Sequence, residues 1–179
     1  NIDQALLIVT LKEPVTNTTF IDRFLATAEA YNVPVVIVIN KIDLLVDEDE
    51  VEYLEAVKNL YEVIGYKVIT MNALVGKGLN ELKETLQGKT TLLSGNSGVG
   101  KSSIINLVLP GVNLKTGSVS ESHHTGMHTT TFSEMFELPE GGCVIDTPGV
   151  KGFGTIDFEK SEVAHYFKEI FAISADCRY

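Results

Sequence analysis

The sequence predicts an α/β fold, a mainly parallel sheet with helices on both faces. Two observations carry this. Short apolar runs alternate with longer stretches of helical periodicity, the pattern of strand–helix–strand units. A glycine-rich loop, Gly95-Asn96-Ser97-Gly98-Val99-Gly100-Lys101-Ser102, lies between an apolar run and a helical stretch, the setting a phosphate-binding loop requires. The 179 residues suffice for one domain with a sizeable core and are marginal for two.

Taken in order, residues 5–9 read as a buried strand. Residues 19–31 have helical spacing, with Phe20, Phe24, Ala28 and Tyr31 on one face. Residues 35–39 form a second buried strand. A helix over 48–64 follows, stopped by Gly65. Its acidic start, Asp47-Glu48-Asp49-Glu50, suits a solvated helix N-terminus, where carboxylates face the positive end of the dipole. Residues 66–70 are a third strand, 79–86 a short helix and 90–93 a fourth strand. The glycine loop then leads into a helix over 101–108, ended by Pro110. Residues 111–128 show neither periodicity, and a loop of that length within a domain is usually functional. Residues 131–138 alternate loosely, Gly141-Gly142 marks a turn, 143–145 form a strand and 161–171 a final helix.

Apolar residues make up 44% and charged residues 21% of the chain, with a net charge of −10. An acidic surface repels a phosphate backbone, so nonspecific nucleic-acid binding is not expected of this segment. No apolar run is long enough to span a bilayer, and no segment resembles a signal peptide. Two cysteines, Cys143 and Cys177, do not make a disulfide scaffold; Cys143 reads as a small core residue, and a reducing, cytoplasmic compartment fits best. The chain begins at Asn1 and ends after Tyr179, and reads as a fragment of a longer protein.

The loop matches G-x-x-x-x-G-K-[ST] in full. Its glycines let backbone N–H groups of residues Gly95, Asn96, Ser97, Gly98, Val99 and Gly100 wrap phosphate oxygens, and the following helix adds its positive end, with Ser102 and Ser103 in the first turn. Lys101 would reach the β- and γ-phosphates, and the Ser102 hydroxyl would ligate Mg²⁺. Downstream, Asp146-Thr147-Pro148-Gly149 follows an apolar strand. Asp146 at that strand end can hold the Mg²⁺ shell, and the Gly149 N–H can approach the γ-phosphate.

Asn40-Lys41-Ile42-Asp43 follows the second strand and resembles the N-K-x-D motif of GTPases. A carboxylate at Asp43 can accept from guanine N1–H and its 2-amino group, a donor pair that adenine lacks. Lys41 would lie along the base, and Asn40 would tie this loop to the phosphate loop. Asn72-Ala73-Leu74 is a weaker match to S-A-K, in which the backbone at Ala73 supports the guanine carbonyl.

An ordinary GTPase presents the phosphate loop, the threonine switch, D-x-x-G, N-K-x-D and S-A-K in that order. Here the base-reading motifs come first, which is a circular permutation, tolerated when the old termini lie close together. With that order, and with Asn1-Ile2-Asp3-Gln4, Ile21-Asp22-Arg23-Phe24-Leu25, "NKIDLL", "GNSGVGKSS", "HTTTF" and "DTPGVKGFG", nearly the whole chain resembles the circularly permuted, small-subunit-dependent GTPases of the RsgA (YjeQ) family. The resemblance implies a P-loop NTPase fold in a circularly permuted G domain over 1–158. Residues 159–179 would hold a C-terminal helix and the start of a truncated zinc-binding domain, with Cys177 as its first ligand.

The resemblance also implies GTP and GDP binding, GTP hydrolysis and action in late maturation of the small (30S) ribosomal subunit. Contacts to that subunit's rRNA would be made mostly through an N-terminal OB-fold and a C-terminal zinc domain outside this chain, with Zn²⁺ only in the full-length protein. A cytoplasmic monomer with no membrane partner is expected. A GTP-gated binding module, or a GTPase for another structured RNA, is the alternative.

Many GTPases place Gln after D-x-x-G to orient the attacking water; here Val150 stands there and cannot. His128, beside Thr129-Thr130-Thr131, is the candidate for that role, since imidazole can hold a water at neutral pH, and the family resemblance points to the same residue. Thr130 is the favoured switch ligand of Mg²⁺.

Overall fold

The computed structural model describes residues 1–112, 114, 134–146 and 162–174. The central strand, β1 (Gln4–Thr10), is buried along its whole length. It runs parallel to β2 (Val35–Asn40) on one side and β4 (Thr90–Ser94) on the other. β3 (Lys67–Thr70) extends the sheet beyond β2, and β6 (Cys143–Asp146) beyond β4, both in parallel. β5 (Glu134–Glu137) closes that edge antiparallel to β6. The order is β3-β2-β1-β4-β6-β5.

Runs such as Val35-Val36-Ile37-Val38-Ile39 can lie inside a sheet because helices cover both faces. Alternate residues feed two cores. Ala5, Leu7, Val9, Ile37 and Ile39 pack against Ile21, Phe24 and Leu25 of α1 (Thr18–Ala30) and Leu54, Val57 and Tyr61 of α2 (Glu48–Ile64). Leu6, Ile8, Val36 and Val38 pack against Leu82 and Leu86 of α3 (Leu79–Leu86) and Ile104 and Ile105 of α4 (Lys101–Val108).

The helix ends have local causes. Asn17 caps α1, its side chain accepting the Phe20 N–H at 2.8 Å. Gly65, at φ 104°, ends α2 in the left-handed conformation.

The connection that makes the permutation possible is short. Residues 87–89 carry the chain from α3 straight into β4. Lys89 N–H donates to Leu86 O at 3.1 Å, Gly88 N–H to Gly141 O at 2.9 Å and Cys143 N–H to Lys89 O at 2.9 Å. Gln4 closes the seam from within: its Nε2 donates to Thr85 O and Thr91 Oγ1, and its Oε1 accepts from Lys89 Nζ. All hydrogen-bonding atoms of this buried amide side chain are engaged, as burial demands.

Four sequence expectations need correction. Tyr31 is not on the buried face of α1; it is the C-cap and 55% exposed, and the inward stripe runs through Ile21, Phe24, Leu25 and Ala28. Cys143 is only half-buried, near the antiparallel edge. The acidic run is not wholly solvated, because Glu50 folds back to accept from Val46 N–H and pairs with Lys12, whose hydrogen bond holds the Glu50 carboxyl below the usual carboxylate range. The final helix is broken: a 3₁₀ turn, Val163–Tyr166, is followed by extended Phe167 and then α5 (Lys168–Ser174). The break turns Lys168 onto α1 and the residue before β3, with Nζ 2.9 Å from Glu29 and 4.1 Å from the centre of the Tyr66 ring. Residue 161, and residues 131–133 of the predicted strand over 131–138, lie outside the described residues.

Candidate nucleotide site

β1 and β4 are parallel neighbours from which the chain proceeds in opposite directions, β1 toward β2 and β3, β4 toward β6 and β5. That is the switch point at which open α/β sheets hold ligands, beyond the carboxyl ends of their strands. The glycine loop leaves β4 there. A methyl group on Gly95 would run into the Ile8 carbonyl oxygen, and one on Gly100 into the Asn40 amide. Gly100 also sits at φ 101°, where a side chain is strained. Between them Val99 is fully buried in the core beside Ile104, which pins the loop to the sheet.

Lys101 opens α4 and curls back over its own loop. Its Nζ donates to Gly95 O and Asn96 O, each at 2.8 Å. Burial pushes the ammonium pKa below its ordinary value, and the Asp146 carboxylate partly opposes that shift. Asp146 ends β6, paired in register with Leu93 of β4, so the sheet itself sets the carboxylate beside the loop. Ser102 and Ser103 are half-buried in the first turn of α4, and Ser97 and Gly98 are exposed.

The base-reading motif stands at the end of β2. Asn40 is buried, donating from Nδ2 to Val99 O at 2.9 Å and accepting the Ala73 N–H on Oδ1 at 3.1 Å. Asn40 therefore ties its loop to the phosphate loop, as expected, and also to the loop after β3. A guanine carbonyl reaching the Ala73 N–H would share it with Asn40. Asn72 organises that third loop: its Oδ1 accepts from Leu74 N–H, and its backbone pairs with Lys77. Asp43 lies in the 3₁₀ turn Ile42–Leu44 with its side chain exposed. Lys41, at φ 60°, sends its ammonium to Glu13 O at 2.6 Å.

Two features here carry no sequence motif. Residues 11–16 form a turn beside both loops, and Ser94 Oγ, immediately before Gly95, is buried without a hydrogen-bond partner among the described residues. His128, Thr130, Gly149, Val150 and Cys177 lie outside the described residues. Among the described residues no group of three or more His, Cys, Asp or Glu side chains could hold a metal, and no helix is long and apolar enough to cross a membrane.

Residues 1–156 match the model of the RsgA GTPase family. The small ribosomal subunit biogenesis GTPase RsgA of Phocaeicola vulgatus is 59% identical over 179 residues, covering 100% of this chain and 57% of that protein. The protein of the same name from Porphyromonas gingivalis W83 is 54% identical over 182 residues, covering 100% of this chain and 58% of its own length. Among solved structures, YjeQ from Thermotoga maritima superposes with a TM-score of 0.79 at 40% identity, over 94% of this chain and 55% of that one. YloQ, described as a circularly permuted GTPase, gives 0.78 at 32% identity, over 100% and 55%. The chain thus spans little more than half the length of the curated relatives it matches.

Proposed function

The chain belongs to the RsgA GTPase family, and from that premise we propose that it is the GTP-binding and GTP-hydrolysing part of a protein acting in late maturation of the small ribosomal subunit. The observation that carries the nucleotide reading is Asn40. One buried amide holds the phosphate loop and both base-side loops in a fixed relation, so a ligand with a base at one end and phosphates at the other has a preformed site.

Each residue has a part in it. The exposed Asp43 carboxylate reads the guanine N1–H and 2-amino pair, with Lys41 along the base and the Asn72–Ala73 backbone at its carbonyl edge. The N–H groups of residues 95–103 cradle phosphate oxygens at the start of α4. Lys101 exchanges two loop carbonyls for the β- and γ-phosphates, and its desolvated ammonium interacts with them more strongly than an exposed one would.

The oxygen donors near Lys101, the Ser102 hydroxyl and Asp146 carboxylate, are of the hard type that suits Mg²⁺; they would hold it with Thr130. Bound there, the ion would neutralise charge on the β- and γ-oxygens. Gly149 N–H senses the γ-phosphate, and His128 orients the attacking water in place of the missing glutamine. Residues 1–158 form the G domain, and 159–179 lead into a zinc-binding domain for which Cys177 supplies a ligand. Hydrolysis is slow until the 30S subunit and its rRNA order the switch loop, in a cytoplasmic, monomeric protein.

His128→Ala tests this in the full-length protein. Subunit-stimulated turnover should vanish while GTP binding is kept. Stimulated turnover at the parent rate would remove His128 from the mechanism.

A further inference from the structure

Lys41 is anchored by a part of the chain that no nucleotide motif includes. The turn over residues 11–16 leaves the end of β1 and is closed on itself. Thr16 N–H donates to Thr10 O at 2.8 Å, Thr10 N–H donates to Thr16 Oγ1 at 3.2 Å, and Thr10 Oγ1 donates to Pro14 O. Thr10 and Thr16 are both buried. From within the turn, Lys12 reaches out to pair with Glu50 at the start of α2. At its apex the Glu13 carbonyl accepts the Lys41 ammonium at 2.6 Å. The Pro14 ring faces the tip of the phosphate loop, where a methyl group on Gly98 would touch its Cδ at 3.6 Å.

We propose that the turn over residues 11–16 is a positioning element for the nucleotide site, fixing Lys41 through the Glu13 carbonyl and walling the Gly98 side of the phosphate loop with Pro14. This rests on the reading of the site as one for guanine nucleotides. A free lysine side chain holds much rotamer entropy, which a ligand packing on its stem would have to remove. The turn removes it during folding, so that the stem is already a shelf when the base arrives. Glu13 sits at φ 49°, a conformation a non-glycine residue keeps only when its surroundings impose it. Here the threonine pair and the Lys12–Glu50 contact do so. The residues of the turn touch neither proton nor phosphate in the reaction; they act through Lys41 and the loop.

The test is a double-mutant cycle on GDP binding in the full-length protein, with Pro14→Gly, Lys41→Ala and the pair. Pro14→Gly should raise the GDP dissociation constant about tenfold, the loss expected when a side chain is ordered on binding instead of beforehand. The midpoint of nucleotide-free unfolding should fall only modestly, by the extra freedom that glycine gives the unfolded chain. In the Lys41→Ala background the same change should cost clearly less, because the part of its effect that acts through Lys41 is gone and only the part at Gly98 remains. A Pro14→Gly variant that binds GDP as the parent does, or losses that simply add, would overturn the proposal. Should Pro14→Gly fail to fold, Glu13→Gly runs the same cycle: it relieves the positive φ, so stability holds or rises while affinity falls. A parent protein that binds ADP as tightly as GDP would instead sink the reading of the site, and leave the role of the turn separately decided by the cycle.

Discussion

Asn40 Nδ2 donates to the Val99 carbonyl at 2.9 Å, across 59 residues of sequence. The same amide accepts the Ala73 N–H on its other atom. A side chain with a donor and an acceptor on one short stem is needed, and at 3% exposure no water substitutes for it. Asn40→Ala should leave a buried carbonyl and a buried N–H without partners and cost about 2–4 kcal/mol. Urea unfolding of the nucleotide-free protein measures this. A loss well under 1 kcal/mol would mean that the three loops are held together by something else. Asn40→Asp should be no better, since a carboxylate accepts from Ala73 but cannot donate to Val99.

Base choice should follow the hydrogen-bond polarity at Asp43. The carboxylate is exposed in the short turn after β2, free to accept two donors from one base edge. Asp43→Asn replaces one acceptor by a donor, which opposes the guanine 2-amino group and matches a 2-oxo group. Affinity for GDP should fall by on the order of a hundredfold or more, and xanthosine diphosphate should become the better ligand. Competition binding of the two nucleotides checks it. An unchanged preference for GDP would place base recognition elsewhere.

Lys101 makes stability depend on pH in a direction that can be worked out. Burial lowers its pKa in the folded protein below the unfolded value of 10.5. Between the two values the unfolded chain binds more protons, so the nucleotide-free protein gains stability as pH rises through that window. At neutral pH the charged ammonium is a cost of folding, offset in part by the Gly95 and Asn96 carbonyls and by Asp146. Lys101→Met should therefore leave the nucleotide-free protein as stable as the parent at neutral pH, or more so, while abolishing phosphate binding. Unfolding of both proteins over mildly to strongly alkaline pH should show the parent gaining on the variant. Parallel pH profiles would refute the assignment.

Strong periodicity and punctuation explain which elements could be read in advance. The bounds of α2, α3 and α4 follow from helical spacing, the Gly65 stop and the glycine loop, and the parallel sheet follows from strands separated by helices. Motif spacing likewise gave Asn40, Lys101 and Asp146 their places. What could not be read depends on tertiary contact. The break at Phe167 serves the docking of Lys168 on Glu29 and Tyr66, residues far away in sequence. The anchoring of Lys41 uses a backbone carbonyl, which carries no residue signature. Ser94 is an ordinary strand residue in sequence, and only its burial reveals a hydroxyl without a hydrogen-bond partner among the described residues.

The last prediction concerns the segment after the switch motif. In this permuted chain the 3₁₀ turn and α5 come after Gly149 in sequence, and Tyr166 and Phe167 line a cleft with Asp22, Leu25, Tyr61 and Tyr66. Burial, and then the carboxylates of Asp22 and Glu29, push both tyrosine hydroxyls to a pKa above the ordinary value, so they remain protonated donors to those carboxylates. Lys168 adds one cation to that acidic edge, paired with Glu29 and stacked on Tyr66. The pair is partly exposed, so its worth is about 1 kcal/mol. Lys168→Ala should thus speed amide exchange in α5 by roughly fivefold while α2 and the sheet exchange as before, since the helix undocks without global opening. If this docking is coupled to the γ-phosphate, protection of α5 in the parent should differ between GDP and a non-hydrolysable GTP analogue. Equal protection in the two states would separate the C-terminal segment from the nucleotide cycle.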